Sequence, residues 1–341
     1  MVAPMTCPAC GSPRSCVTPE TAGDYAFRRC GDCRLEFADP MRAPDYNEAY
    51  DDHEVYVQYV GISGEAAKEL VLGARATPPV LDLLRRLPKR GRLLDIGCGN
   101  GTFCRLAEEL GYEVYACDVA EKAVQYARAV HRLRNTWVGT SRNLPAGWHE
   151  FDVVTCFEVL EHLEDPYGLE RDVFGLLKPG GVHLCSVPNT HRLTARRGRR
   201  ENTDYPPNHL TRWQRASLKQ LLARAGFVDC AIAIPAPDSY EFRVALLPVW
   251  VTDWRNRRWW ETEGRELYGA DSPPSGLWSS EWGSQNTGRR TPAVLRSGTV
   301  WSGIKFAARG ASALLNLLVP DLGNPLIALA RKPLEPQRAH L

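Results

Sequence analysis

The sequence has almost no excess of charge: 42 Lys and Arg stand against 40 Asp and Glu, a formal net charge of +2 over 341 residues. A dedicated nucleic-acid binder carries a strong basic footprint, so no such partner is expected and any anion must be met by a local patch. No apolar run reaches the roughly 18 residues of a membrane-spanning helix. The first residues, Met1-Val-Ala-Pro-Met-Thr-Cys7, lack the charged and apolar regions of a secretory signal, and a cytoplasmic protein is expected. Compositional bias is absent too: 44% hydrophobic and 24% charged residues exclude wholesale disorder, collagen-like repeats and a coiled-coil rod. A chain of this length accommodates two domains, or one large domain with additions.

Of eleven cysteines, Cys98, Cys104, Cys117, Cys156, Cys185 and Cys230 lie singly in apolar segments and read as reduced core residues. Four others form two identical pairs, Cys7-Pro-Ala-Cys10 and Cys30-Gly-Asp-Cys33, with the spacing of a four-thiolate zinc site. A glycine follows Cys10 and Cys30 and lets the backbone bend around the ion. Four thiolates close a tetrahedral shell, so this zinc is expected to hold a small ribbon together rather than catalyse. Cys16 has no spaced partner and reads as an ordinary thiol.

Downstream, Arg92-Leu-Leu-Asp95-Ile-Gly97-Cys-Gly99-Asn-Gly101 reads as a buried strand entering a Gly-rich turn, followed by a helix over 102–110. A second strand, Glu113-Val-Tyr-Ala-Cys-Asp118, ends in a carboxylate placed to accept hydrogen bonds from ribose hydroxyls. Apolar runs at 93–96, 114–117, 151–157, 182–187 and 227–234 alternate with helical stretches such as Glu121–His131 and Ser217–Ala225, which predicts an α/β fold with a mainly parallel sheet. The dinucleotide fingerprint is G-x-G-x-x-G, whereas this chain has G-x-G-x-G.

With Asp-Ile-Gly-Cys-Gly-Asn-Gly after one strand and an acid ending the next, residues 90–234 resemble the class I S-adenosylmethionine-dependent methyltransferases. The resemblance continues through Phe151-Asp-Val-Val-Thr-Cys-Phe-Glu158-Val-Leu-Glu161-His162 and Leu176-Leu-Lys-Pro-Gly-Gly181-Val-His-Leu-Cys-Ser-Val-Pro-Asn189. It implies a Rossmann-like seven-stranded sheet whose antiparallel seventh strand is Pro325–Arg331. The expected organisation is a zinc ribbon at 1–40, a linker and cofactor lid at 41–89, and the S-adenosylmethionine-binding core at 90–235. A Trp-rich insertion at 236–320, the final strand at 321–333 and a tail at 334–341 complete it. By the resemblance, Asp95, Gly97, Gly99 and Gly101 face the amino-acid part of the cofactor, Asp118 holds the ribose, and adenine lies near Thr140-Ser141-Arg-Asn-Leu144. Glu158 stands near the sulfonium.

Glu158, Glu161 and His162 form E-x-x-E-H after the fourth strand of the core. One reading is a solvated cluster whose acids favour a helix N-terminus. The other is chemical: similar segments in ubiquinone-type O-methyltransferases hold a divalent cation, and in sugar C-methyltransferases with N-terminal zinc modules a corresponding Glu-His pair is associated with proton abstraction. His162 is the favoured base, with Glu161 beside it. His209, in Tyr205-Pro-Pro-Asn-His-Leu-Thr-Arg-Trp, reads equally as a substrate-pocket residue or a loop brace. Arg192, Arg196, Arg197, Arg199 and Arg200 form either a solvated loop or a diphosphate clasp.

The insertion carries Trp250, Trp254, Trp259, Trp260, Trp278 and Trp282, and then an amphipathic helical pattern, Val300, Ile304, Ala307, Ala311, Leu314, Leu315 and Leu318. This helix packs on the core or a second subunit, or reaches a membrane surface and a lipid-linked substrate. The resemblance implies methyl transfer to a small molecule, foremost a nucleotide-linked sugar or glycan precursor, with O-methylation of a lipid-linked or quinone-like hydroxyl as the alternative. Nucleic-acid methylation is disfavoured because Phe157-Glu-Val-Leu160 replaces the Asp/Asn-Pro-Pro-aromatic segment of amino-methylating enzymes. A non-catalytic binding protein is disfavoured by the retained acids and glycines.

Overall fold

A computed structural model describes residues 5–45, 78–87, 91–196, 204–235 and 324–334. The Trp-rich stretch, the amphipathic pattern, most of the expected lid and Arg197, Arg199 and Arg200 lie outside the described residues.

Strands β1 (Ser15–Ala22), β2 (Tyr25–Cys30) and β3 (Glu36–Asp39) form the N-terminal ribbon. The core follows as α1 (Pro78–Arg86), β4 (Arg92–Ile96), α2 (Thr102–Glu109), β5 (Glu113–Asp118), α3 (Glu121–His131), β6 (Asn135–Val138), β7 (Phe151–Phe157), α4 (Pro166–Leu176) and β8 (Leu177–Val187). A short helix α5 (Leu193–Arg196), the two-residue strand β9 (Thr211–Arg212), α6 (Arg215–Ala225), β10 (Val228–Ala233) and β11 (Leu326–Arg331) complete it.

The large sheet has seven strands in the order β6-β5-β4-β7-β8-β11-β10. Strands β6 to β8 pair in parallel. Strand β11 runs antiparallel to both of its neighbours, β8 and β10. This is the Rossmann-like sheet with a reversed strand next to the edge that the resemblance implies. Successive residues of a strand face opposite sides, so Leu93 and Val153 pack with Leu84, Phe103 and Ala107 on one face, while Leu94 and Val154 pack with Val173, Leu218 and Leu222 on the other. Chain order reverses between β4 and β7, which opens a crevice at the carboxyl ends of the strands.

The main departure from the sequence reading is at the ribbon boundary. Its sheet has four strands, β1-β2-β3-β9, the last contributed by the core, with Glu36 opposite Arg212 and Phe37 opposite Thr211. The buried ribbon residues Cys7, Cys30, Cys33, Leu35 and Phe37 share one apolar cluster with Leu160 and Trp213 of the core. Strand β6 was missed because it is a half-buried edge strand of four residues. Helix α6 starts at Arg215 rather than Ser217, because Ser217 sits inside the first turn and closes a capping box with Gln214. None of the eleven cysteines forms a disulfide; of the six expected in the core, Cys98, Cys104, Cys117, Cys156 and Cys185 are buried and Cys230 is half-buried.

A buried polar pair ties α4 to the sheet. His183 and Glu170 are both fully buried; the His183 Nδ1 lies 3.0 Å from the Val154 carbonyl and its Nε2 3.2 Å from a Glu170 carboxylate oxygen. Acceptors face both ring nitrogens, so the ring is an imidazolium donating in two directions. Burial alone would push its pKa down; the Glu170 carboxylate and then Cys185 outweigh this and hold it well above the ordinary imidazole value. The Glu170→Gln variant leaves that cation without its counter-charge and is expected to cost about 3–5 kcal/mol, read from urea unfolding midpoints. Since the folded pKa is the higher one, the pair's contribution is complete below about pH 6.5 and lost as pH rises through the folded value. The stability difference between wild type and Glu170→Leu/His183→Leu is therefore expected to narrow toward alkaline pH; widening would contradict the assignment.

Candidate active site

A cavity of about 410 Å³ lies at the carboxyl ends of β4, β5 and β7. Its walls include Gly97, Asp118, Ser141, Glu158 and His162, five of the residues expected from the sequence. Gly97 turns the chain at φ 73°, and a Cβ there would lie 2.4 Å from the Val159 side chain. Both facts demand glycine. Asp118 accepts from the Gly99 amide at 2.8 Å and the Ala120 amide at 2.9 Å, one bond per carboxylate oxygen. Its orientation is thereby fixed, and each oxygen retains a lone pair for a hydroxyl.

Glu158 has φ 55°, a left-handed conformation that costs a non-glycine residue roughly 1–2 kcal/mol. Two contacts with Ser186 hold it there: the Glu158 amide donates to the Ser186 carbonyl at 3.0 Å, and the Ser186 hydroxyl donates to the Glu158 carboxylate at 2.7 Å. Ser141 donates to Asp172 of α4 at 2.8 Å, and Asp172 itself lines the cavity. The stretch expected near adenine is thus joined at the cavity wall by an acid from another element. Sequence reasoning missed it because an acid on an amphipathic helix carries no local signal.

Three expected residues lie behind the wall. Asp95 is buried beneath the turn, accepting from the Thr155 hydroxyl at 2.7 Å and the Cys104 thiol at 3.3 Å. It braces β4 against β7 and α2. Gly99 receives the Asp118 carboxylate on its amide. Gly101 caps α2, where a Cβ would lie 2.7 Å from that of Ala127, so it allows close packing of α3.

His162 Nδ1 lies 2.8 Å from the Asn208 carbonyl and donates to it. Its Nε2 is 3.8 Å from the buried Glu161 carboxylate, and His209 Nε2 is 4.0 Å from the same oxygen. The two imidazole rings meet edge to face with centroids 4.8 Å apart. Ligand atoms of Glu161, His162 and His209 all lie within 4.8 Å of one another, a donor set suited to a divalent cation. His209 Nδ1 faces Asp204 at 3.7 Å. The structure therefore brings His209 beside Glu161 and His162, although it is not among the residues lining the cavity.

Cys7, Cys10, Cys30 and Cys33 cluster in the ribbon, with Sγ separations of 3.5 Å for Cys7 to Cys33 and 3.6 Å for Cys10 to Cys30. Zn–S bonds of about 2.3 Å in a tetrahedron put sulfurs roughly 3.8 Å apart, so the set fits a four-thiolate centre. Cys16 is exposed and outside it. Gly11 turns at φ 77°, as expected, but in the second knuckle the left-handed residue is Arg34 at φ 65°, after Cys33, rather than Gly31.

A second cleft, of about 440 Å³, lies between ribbon and core and is lined by Arg29, Arg34 and Glu36 from the ribbon and by Thr190, His191, Ala195, Arg196 and Gln214. Glu36 is engaged by Arg29 at 3.0 Å and faces Arg212 at 3.7 Å. The exposed Arg34 and Arg196 leave the cleft basic. Arg192 is buried and paired with Asp204, so this member of the arginine run is structural.

The parallel sheet, the glycine turn and the carboxylate ending β5 give the chain the fold of the class I S-adenosylmethionine-dependent methyltransferases. Residues 72–231 match the family described as "Methyltransferase domain". A probable S-adenosylmethionine-dependent methyltransferase of Mycolicibacterium smegmatis is 36% identical over 135 residues, covering 40% of this chain and 51% of that protein. A ubiquinone biosynthesis O-methyltransferase of Cereibacter sphaeroides is 40% identical over 117 residues, covering 32% of this chain and 46% of that one. The chain spans about half the length of the curated relatives it matches. A solved Haemonchus contortus phosphoethanolamine N-methyltransferase 2 with bound S-adenosylmethionine shares the fold, with TM-score 0.50 and 15% identity over 87% of this chain and 62% of that chain.

Asp118→Ala removes the fixed acceptor from the cavity and is expected to weaken S-adenosylmethionine binding roughly ten- to a hundredfold by isothermal titration calorimetry. An unchanged dissociation constant would remove Asp118 from the cofactor site.

Proposed function

We propose that this protein transfers the methyl group of S-adenosylmethionine to a small-molecule acceptor, with His162 as the general base. The observation that carries the reading is the His162 ring on the cavity wall, with Nδ1 committed to the Asn208 carbonyl. That bond makes Nδ1 the protonated nitrogen and leaves Nε2 as the basic one. S-adenosylmethionine, when bound, supplies an electrophilic sulfonium methyl. Asp118, the turn at Gly97 and the Ser141–Asp172 pair would hold it. His162 Nε2 takes the acceptor's proton, and the Glu161 carboxylate 3.8 Å away stabilises the imidazolium that results.

An anionic acceptor, such as a nucleotide-linked sugar or glycan precursor, is supported by the basic cleft that Arg34 and Arg196 line beside the loop following β8. A second reading, O-methylation of a quinone-like or lipid-linked hydroxyl, is supported by the ubiquinone O-methyltransferase relatives. In that reading Glu161, His162 and His209 hold a divalent cation. The ribbon holds one structural zinc through Cys7, Cys10, Cys30 and Cys33. The seven cysteines outside that centre, none of them in a disulfide, support a cytoplasmic setting. No helix among the described residues is long and apolar enough to cross a membrane.

Methyl-labelled S-adenosylmethionine, incubated with the protein and fractionated bacterial extract, is expected to label an aqueous, phosphatase-sensitive product. His162→Ala is expected to reduce that labelling by about 10²–10⁴-fold. Label in the organic phase would replace the sugar reading with the quinone or lipid one, and full activity of His162→Ala would remove the base. Elemental analysis is expected to find one zinc per chain, lost in Cys33→Ser; metal-free protein with an intact ribbon would overturn the zinc assignment.

A further inference from the structure

We propose that Arg212 is a positioning residue for the candidate active site: it clamps the ribbon onto the segment that orients His162, so that the ribbon is the outer half of the active-site scaffold. This rests on the reading of His162 as base. Arg212 is only 4% exposed, and a guanidinium so buried is retained only with a full set of partners.

Those partners come from two places. On the ribbon side, Glu20 of β1 takes both terminal nitrogens, at 2.7 and 3.0 Å, and the ring of Phe27 of β2 lies under the guanidinium carbon at 3.8 Å. On the core side, the Tyr205 ring faces it at 4.9 Å, and the Asp204 carbonyl accepts from its Nε at 3.4 Å. Lysine could supply the charge but not this planar fork.

From there the path to the base is short. The Tyr205 carbonyl accepts from the amides of Asn208 and His209, each at 3.1 Å, which shapes the turn. The Asn208 carbonyl then receives His162 Nδ1 at 2.8 Å and selects the tautomer with Nε2 unprotonated. Alongside, Leu210 accepts from Ala38 of the ribbon at 2.8 Å and donates to the Glu161 carbonyl at 2.7 Å. Displacing Arg212 loosens the turn whose carbonyl fixes the ring. The cofactor cavity, built from β4, β5, β7 and α4, contains none of the Arg212 partners.

The test needs no identified acceptor. In the full-length, ¹⁵N-labelled protein saturated with S-adenosylmethionine, long-range proton–nitrogen correlation reads the tautomer of each imidazole. The His162 signals are assigned by their loss in His162→Gln. Wild type is expected to show His162 protonated at Nδ1. Glu20→Gln, which changes a 39%-exposed side chain on the ribbon surface, and Arg212→Lys are expected to move His162 to a mixture containing the Nε2–H form. Both are expected to slow labelling of the extract product at least tenfold, with cofactor affinity changed less than twofold. Glu20→Gln carries the test if Arg212→Lys does not fold. A wild-type tautomer in Glu20→Gln, or a loss of cofactor affinity parallel to the loss of rate, overturns the positioning role. Wild-type protein with Nε2 protonated would instead overturn the reading of His162 as base.

Discussion

Leu210 commits its two backbone groups to two different modules. Its carbonyl accepts from Ala38 of the ribbon and its amide donates to the carbonyl of Glu161 beside the cavity. A buried peptide group without partners is costly, so each bond also fixes the element at its other end. The ribbon cannot tilt without pulling the segment at 204–213, and that segment cannot shift without disturbing Glu161 and His162. Strand β9, two residues long, is the visible result of this constraint. The shared apolar cluster under Trp213 makes it rigid.

The architecture of the large sheet was legible because its signals are local. A buried strand entering a glycine turn, a strand ending in Asp118, and alternating apolar runs each lie within about ten residues. Even β11 was found, since an isolated apolar run near the end of the chain had one place to go in the resembled sheet. The cysteine spacing was equally local and located the ribbon. The pairing of β3 with β9 was not legible: Thr211 and Arg212 have no strand pattern of their own and pair only because the folded core presents them. Tertiary contact here overrides a sequence with no local preference.

The site divides in the same way. Gly97, Asp118 and Glu158 belong to continuous motifs and line the cavity. Asp172 and Arg212 do not belong to any motif, and their importance is a matter of which distant groups they meet. Asp95 shows the converse. Its place in a motif suggested contact with ligand, whereas the structure gives its carboxylate to Thr155 and Cys104. A residue within a ligand-binding motif can serve the ligand by holding the turn that meets it.

The reversed strand β11 has a consequence for how the chain is made. It lies between β8 and β10, yet it follows both in sequence. During synthesis β10 emerges before the strand that will join it to the sheet, so it waits with neither edge paired, and β8 waits with its outer edge open. Unpaired edges of this kind recruit other chains. Strand β10 alternates half-buried and exposed positions, in contrast to the almost wholly buried β7, and Asp229 is its one charged residue. The sheet closes only once β11 has been made, which leaves Asp229 as the one charge on the waiting strand.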